Sequence, residues 1–321
     1  MAPGPDPPAA SVSVPDDLRG TLFFSASKDC RVRELDLAKP PAPVTGPATG
    51  CAFWLSSPAT HAVVGRDSGS GEGRPIWLLR LGIGEAPLRK LGLARGEVSW
   101  SPSGDRVAWC RQDRSTVVLS VASDRRKRLA GCNPRFTPSG AVLTRSEDPQ
   151  RRNLLVDGSV LIYELELTGG LSPALQGLNP AVDLLGYDQR ADGLLAVTVG
   201  WLAPSSRGVL LELWRGTQLE GALPLPATDD GEAGRFGEVV RFSPTGGEIA
   251  IAVPGAGSSV MLIDADSLET ALPLTSERGF AWSPDAAWFA LARERDIAVS
   301  GALRSDPVYL LPLSVAGIDW R

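Results

Sequence analysis

One element recurs along this chain and limits what it can fold into. It is a short apolar strand ending in an aromatic residue, then a Ser-Pro turn, then a second apolar strand. The clearest copy is Glu97-Val-Ser-Trp-Ser-Pro-Ser-Gly-Asp-Arg-Val-Ala-Trp109. Further copies are Phe136-Thr-Pro-Ser-Gly-Ala-Val-Leu-Thr144, Val240-Arg-Phe-Ser-Pro-Thr-Gly-Gly-Glu-Ile-Ala-Ile251 and Phe280-Ala-Trp-Ser-Pro-Asp-Ala-Ala-Trp-Phe-Ala-Leu291. Proline presets φ at the second turn position, and a glycine two residues on tolerates positive φ, so each copy reads as a hairpin. The flanking runs are rich in Val, Ile, Trp and Phe, as strands are.

A self-similar unit of about 35–55 residues built from four short strands points to the blades of a β-propeller. The chain shows no long stretch of helical period. Trp100-Ser-Pro-Ser-Gly104, Phe242-Ser-Pro-Thr-Gly246 and Trp282-Ser-Pro-Asp285 resemble the Trp-Ser-Pro-Asp-Gly signature of TolB-type, WD-like β-propellers. The resemblance implies a fold, and it leaves function open among scaffold, binding module and gate on an enzyme. The expected architecture is all-β: a Pro-rich tail over residues 1–17 and one closed propeller over 18–321. Counting opening strands gives seven four-stranded blades, or six if the poorly marked fourth and fifth units share one. The first unit lacks an opening strand, and Gly317-Ile-Asp-Trp-Arg321 resembles one, so the C-terminal strand is expected to complete the first blade.

The totals exclude some classes. A formal net charge of −5 and the lack of a basic stripe interleaved with aromatics speak against nucleic acid. The longest basic run, Arg125-Arg-Lys-Arg128, reads as a solvated outer strand that discourages edge pairing. No apolar run is long enough for a transmembrane helix, so direct membrane insertion is not expected. The N-terminus is not a signal peptide; the chain is therefore cytosolic, or its targeting or anchoring segment lies outside this sequence.

The four cysteines bear on that choice. Cys30 to Cys51 and Cys110 to Cys132 are near-equal steps, and the second member of each follows a glycine. In propeller terms, one member ends a second strand and the other opens the next blade, on the same face. Disulfides Cys30–Cys51 and Cys110–Cys132 are expected, against the alternative of four buried thiols. Tightly spaced zinc ligands are absent. Paired disulfides imply an oxidising, extracytoplasmic compartment.

Candidate chemistry is sparse. His61, the only histidine, sits in an apolar strand and reads as structural. No Gly-x-Ser-x-Gly elbow accompanies it. Gly69-Ser-Gly-Glu-Gly73 lacks the helix and lysine of a phosphate loop. Asp229, Asp230 and Glu232 lie in a glycine-bearing connector and offer the hard oxygens that calcium takes, but their spacing matches no EF-hand; the cluster reads as a solvated loop, and neither a metal nor a cofactor is expected. Gly200-Trp-Leu-Ala-Pro-Ser-Ser-Arg207 reads as a long loop whose Trp201, Leu202 and Arg207 either meet a partner or fold back on the blade edge. Strand direction puts it on one face with Arg151, Arg152, Asp229, Asp230 and Arg235. The opening strands bring Glu97, Arg135, Asp183, Glu238, Arg241, Arg278 and Asp319 to the central channel, to hold a small polar ligand or to pair with one another.

The favoured reading is a non-catalytic, monomeric, extracytoplasmic module that binds a protein or glycan through the long-loop face, as a sensor ectodomain would. The alternatives are a glycan-active or hydrolytic enzyme using a carboxylate pair such as Asp183 and Glu238, and a purely structural propeller.

Overall fold

The computed structural model describes residues 18–26, 31–37, 44–48, 52–66, 73–81, 89–146, 154–162, 181–203, 206–225, 239–253, 259–275, 279–293, 295–301, 309–311 and 315–321. The expected tail over 1–17 lies outside them. The described residues are all-β, without a helix.

Their strands run as antiparallel meanders. β1 (Thr21–Ala26), β2 (Arg31–Asp36) and β3 (Val44–Ala48) open the chain. Then come β4 (Ala52–Leu55), β5 (His61–Gly65), β6 (Arg74–Arg80), β7 (Arg89–Trp100), β8 (Arg106–Cys110), β9 (Ser115–Ser120) and β10 (Arg126–Ala130). A third group is β11 (Cys132–Phe136), β12 (Val142–Arg145), β13 (Leu154–Val156) and β14 (Ser159–Ile162). A fourth is β15 (Ala181–Gln189), β16 (Leu194–Ala203), β17 (Ser206–Arg215) and β18 (Gln218–Leu225). A fifth is β19 (Val240–Phe242), β20 (Glu248–Val253), β21 (Ser259–Asp264) and β22 (Thr270–Thr275). The last is β23 (Gly279–Trp282), β24 (Trp288–Ala292), β25 (Ile297–Gly301) and β26 (Tyr309–Leu311), followed by β27 (Val315–Trp320).

Strand β27 pairs antiparallel with β1, Leu22 opposite Trp320 and Phe23 opposite Asp319, and heads the sheet β27-β1-β2-β3. Four other sheets hold four strands each, and one holds the seven strands β4 to β10. The long sheet turns on β7. Its first half pairs with β6 as far as Ala94, and its second half pairs with β8 from Arg95. Gly96, at φ 70°, lets the chain turn between the two halves without breaking.

The repeated motif has a local cause. Ser101 Oγ accepts the N–H of Arg106 at 3.0 Å, and the backbone pairs Ser101 with Arg106 and Gly104 with Ser101. Ser243 with Glu248 and Ser283 with Trp288 repeat the same bond, and Thr137 with Ala141 does so through its hydroxyl. The fifth-unit turn, Gln189-Arg-Ala-Asp-Gly193, has no such hydroxyl; there Asp192 Oδ1 accepts the N–H of Leu194 instead. Glycine closes these turns because φ is positive, 69° at Gly104, 86° at Gly140 and 81° at Gly246. A Cβ on Gly104 would also meet the Ser57 carbonyl of the neighbouring hairpin at 2.3 Å.

Packing explains why the second strands are continuously apolar and not alternating. Successive residues face opposite sides of a sheet, and here both sides are buried. Ile249 and Ile251 pack toward β17, while Ala250 between them packs toward Phe289. Val107 and Trp109 pack toward Ile76, and Ala108 toward Phe136. Seven such apolar clusters fill the gaps between successive groups of strands. Phe23 meets Leu55, Leu143 meets Leu184, and Trp288 meets Phe24 and Trp320.

The disulfide Cys110–Cys132 ties the end of β8 to the start of β11, with the Cα atoms 5.0 Å apart. Cys30 and Cys51 lie outside the described residues. Asp157 and Gly158, both at positive φ, make a two-residue hairpin between β13 and β14. Strand β10 is the exposed outer strand expected of the basic run.

Two departures from ideal chemistry are open to test. Ala286, at φ 59°, occupies the turn position that is glycine elsewhere. Left-handed alanine is strained, so Ala286→Gly is expected to raise unfolding stability by about 0.5–1 kcal/mol in a denaturant titration. Glu212 on β17 is fully buried. Its Oε2 accepts the Trp214 indole N–H at 2.9 Å, and its Oε1 has no partner. Burial pushes its pKa up, so its charge opposes folding above the folded-state pKa and the penalty fades as pH falls toward the ordinary value of 4.5. Glu212→Gln is expected to stabilise by about 1–3 kcal/mol at pH 7.5, with the gain closing near pH 4.5 in parallel melts.

Candidate functional site

The innermost strands β4, β7, β11, β15, β19, β23 and β27 end in equivalent positions, because the next residue of each bonds across the start of its neighbouring strand. The penultimate residues of these strands are Trp54, Ser99, Arg135, Asp188, Arg241, Ala281 and Asp319. All seven line one cavity of about 1310 Å³. It reaches from Pro58, Pro244 and Pro284 of the turns to Ala52, Val239 and Gly279 at or beside the strand starts.

Two of these side chains stitch one innermost strand to the next, and a third faces a donor of the same kind. Ser99 Oγ accepts the N–H of Phe136 at 3.1 Å, and Asp188 Oδ2 accepts that of Phe242 at 2.8 Å. The Asp319 carboxylate faces the N–H of Leu55, an attraction that pulls its pKa down. In each case the donor is the last residue of the following innermost strand. These N–H groups have no strand partner on that side, so the inward acceptors satisfy them.

Charge is arranged across the cavity as well as around it. Arg241 on β19 reaches Glu97 on β7 at 3.3 Å, and Trp54 Nε1 donates to the same carboxylate oxygen at 3.3 Å. Burial pushes the Arg241 guanidinium down to about 10, the like charge of Arg135 adds to that, and Glu97 opposes it. Arg321 pairs with Asp319 at 3.0 Å and also donates to the Leu55 carbonyl. Burial pushes the Asp319 carboxyl up, against the pull of Arg321.

Of the channel residues expected from sequence, Glu97, Arg135, Arg241 and Asp319 line the cavity. Asp183 does not: it is exposed near the start of β15, opposite Gly200. Asp188, further along the same strand, takes the inward place. Glu238 and Arg278 lie outside the described residues, so the Asp183 and Glu238 pair has no described geometry. Arg151, Arg152, Asp229, Asp230 and Arg235 also lie outside them.

The described parts of the stretch from Gly200 to Arg207, up to Ala203 and from Ser206, are corrected from loop to strand. Trp201 stands opposite Val182 and Gly208, and Leu202 opposite Ala181 and Arg207, which lengthens the β16–β17 hairpin. The apolar run Leu194–Ala203 continues strand chemistry past the point where the sequence reading ends it. His61 makes a local hydrogen bond from its ring to Thr60 at 3.0 Å and tilts against Trp100. Sequence reasoning missed Asp188, Ser99 and Arg321. Aligning every unit on its turn would have found them, but the fifth turn lacks the Ser-Pro pair that marks the others.

No protein-family model matches the chain, and no curated protein matches it by sequence. Solved structures match it in fold. The β-propeller domain of Cps50 (Swd1) from Myceliophteria thermophila aligns with TM-score 0.58 and 12% identity over 84% of this chain and 88% of that one. A candidate 6-phosphogluconolactonase from Bacteroides fragilis NCTC 9343 aligns with TM-score 0.59 and 10% identity over 95% of this chain and 98% of that one. At such identities the likeness is one of fold: the solved neighbour named for its architecture is a β-propeller.

The stitching bonds have a measurable weight. Asp188→Ala leaves the half-buried N–H of Phe242 without its acceptor and is expected to cost about 1–3 kcal/mol in a urea titration. Asp183→Ala, on an exposed side chain outside the lining, is expected to stay within about 0.5 kcal/mol of wild type.

Proposed function

We propose that this chain is a closed, seven-bladed propeller of the TolB type that works as a non-catalytic, monomeric binding module outside the cytoplasm. The blade count takes the seven-stranded sheet as two blades sharing β7, and it is supported by one apolar cluster at each of seven successive interfaces. The pairing of β27 with β1 supports closure. The disulfide Cys110–Cys132 is compatible with an oxidising compartment. No described helix is long and apolar enough to cross a membrane.

The observation that carries the non-catalytic reading is the engagement of the cavity carboxylates. Glu97 is held by Arg241 and Trp54, Asp188 by a backbone N–H, and Asp319 by Arg321. Acid–base work on a glycan requires two carboxyl groups free to exchange protons with a substrate. These three are spent on holding strands together. The partner, a protein or a glycan, meets the face carrying the β16–β17 hairpin, where Trp201, Leu202 and Arg207 stand near its tip.

The test is retention of a partner from the source cell's envelope extract on the immobilised protein, followed by a binding titration with that partner purified. Trp201→Ala with Arg207→Ala is expected to weaken the titrated affinity by about tenfold or more. A partner bound equally by wild type and the double variant would contradict the assignment of the face. Turnover of a glycan or ester by the wild type would contradict the non-catalytic reading.

A further inference from the structure

The cavity contains a cation that the described residues leave unpartnered. Its other charges are engaged: Arg241 by Glu97, Arg321 by Asp319 and the Leu55 carbonyl, and Asp188 by the N–H of Phe242. Arg135 differs. Its Nε is buried without a hydrogen-bond partner, and no hydrogen bond or ion pair joins its guanidinium to any described residue. A guanidinium carries five donors and stays charged, so leaving it partly buried and unbonded carries a desolvation cost. Trp282, on the same cavity wall and 8% exposed, also has an unpartnered indole N–H.

Arg135 lies close enough to Arg241 for their like charges to oppose each other, while Glu97 and Asp188 draw Arg241 the other way. Ser99, on the innermost strand before it, uses its hydroxyl oxygen on the Phe136 N–H. The carboxylate of Glu97 is already shared by Arg241 and Trp54. An anion placed between the two arginines would relieve their repulsion and fill vacant donor sites in planar, bidentate geometry. At about 1310 Å³ the cavity has room for a small molecule and bridging water.

We infer that the central cavity is a binding site for a small anion carrying a carboxylate or phosphate group, with Arg135 as its principal donor and Arg241 beside it. This site goes beyond the partner-binding reading and stands apart from the β16–β17 hairpin. Partner binding and anion binding are therefore read by separate assays and can fail separately.

The experiment is isothermal titration of the whole chain with citrate and, separately, with inorganic phosphate, at ionic strength fixed by sodium chloride. The wild type is expected to bind at least one of the two with a one-to-one stoichiometry. Binding of citrate alone assigns the carboxylate class, of phosphate alone the phosphate class, and of both the shared anion chemistry. Arg135→Gln is expected to weaken that binding by roughly ten- to a hundredfold. Arg128→Gln, on the exposed outer strand β10, is expected to bind as wild type does. Arg135→Lys keeps the charge and loses the fork, so it is expected to bind more weakly than wild type, and it serves as the test variant if Arg135→Gln does not fold. The inference is overturned if neither anion binds the wild type, if the Arg135 variants bind as tightly as wild type, or if Arg128→Gln loses as much affinity as Arg135→Gln.

Discussion

The pairing of β27 with β1 is the constraint on which the rest depends. It builds one four-stranded sheet from segments at opposite ends of the described chain. Trp320 donates its indole N–H to the carbonyl of Arg19, 301 residues away in sequence. Bringing such distant segments together costs on the order of 5 kcal/mol in loop-closure entropy. Burial of Trp320 and Val315 against Phe24, Leu35 and Ala290 offsets it. Without β27, the apolar faces of β1 and β23 would lose their common neighbour, and Asp319 would be missing from the cavity wall.

The same packing logic makes the cavity polar. Both faces of each sheet are used up by its neighbours, so apolar side chains have places between sheets and not along the inner edges. The innermost strands still carry N–H groups without strand partners on the cavity side. Ser99 and Asp188 satisfy two of them, each serving the strand that follows, and Asp319 faces a third. Charge brought in for that purpose is balanced by Arg321 locally and by the Glu97–Arg241 pair across the gap. Arg135 is the member of this set that no acceptor among the described residues balances.

Much of the fold was legible because turn chemistry and packing place their demands on the same few residues. The hydroxyl of Ser101 closes its own hairpin, and Gly104 both takes positive φ and leaves room for Ser57 next door. Such doubly constrained positions survive as a readable motif. The C-terminal strand was legible for the same reason, since Trp320 occupies the aromatic position of the other units. What escaped notice lacked that double constraint. In the fifth unit Arg190 stands where serine is expected, and its side chain bonds Asp192, Asp266 and the Gly246 carbonyl. That hid the turn, and with it the inward place of Asp188. The continuity of β7 and the strand character of Trp201 depend on partners distant in sequence, which local patterns do not carry. The Glu97–Arg241 pair joins residues 144 apart, and composition alone could name the two charges but not match them.

Amide hydrogen exchange along β1 and β27 tests the central claim most directly. Thr21 and Arg321 each donate an N–H to the other's carbonyl, at 2.6 and 3.0 Å. If the first sheet is completed by β27, these amides and those of Phe23 and Asp319 exchange as slowly as the amides of β8 and β20 and open only with global unfolding. Exchange of the β27 amides at the rate of an unstructured peptide, with β8 and β20 still protected, would contradict it.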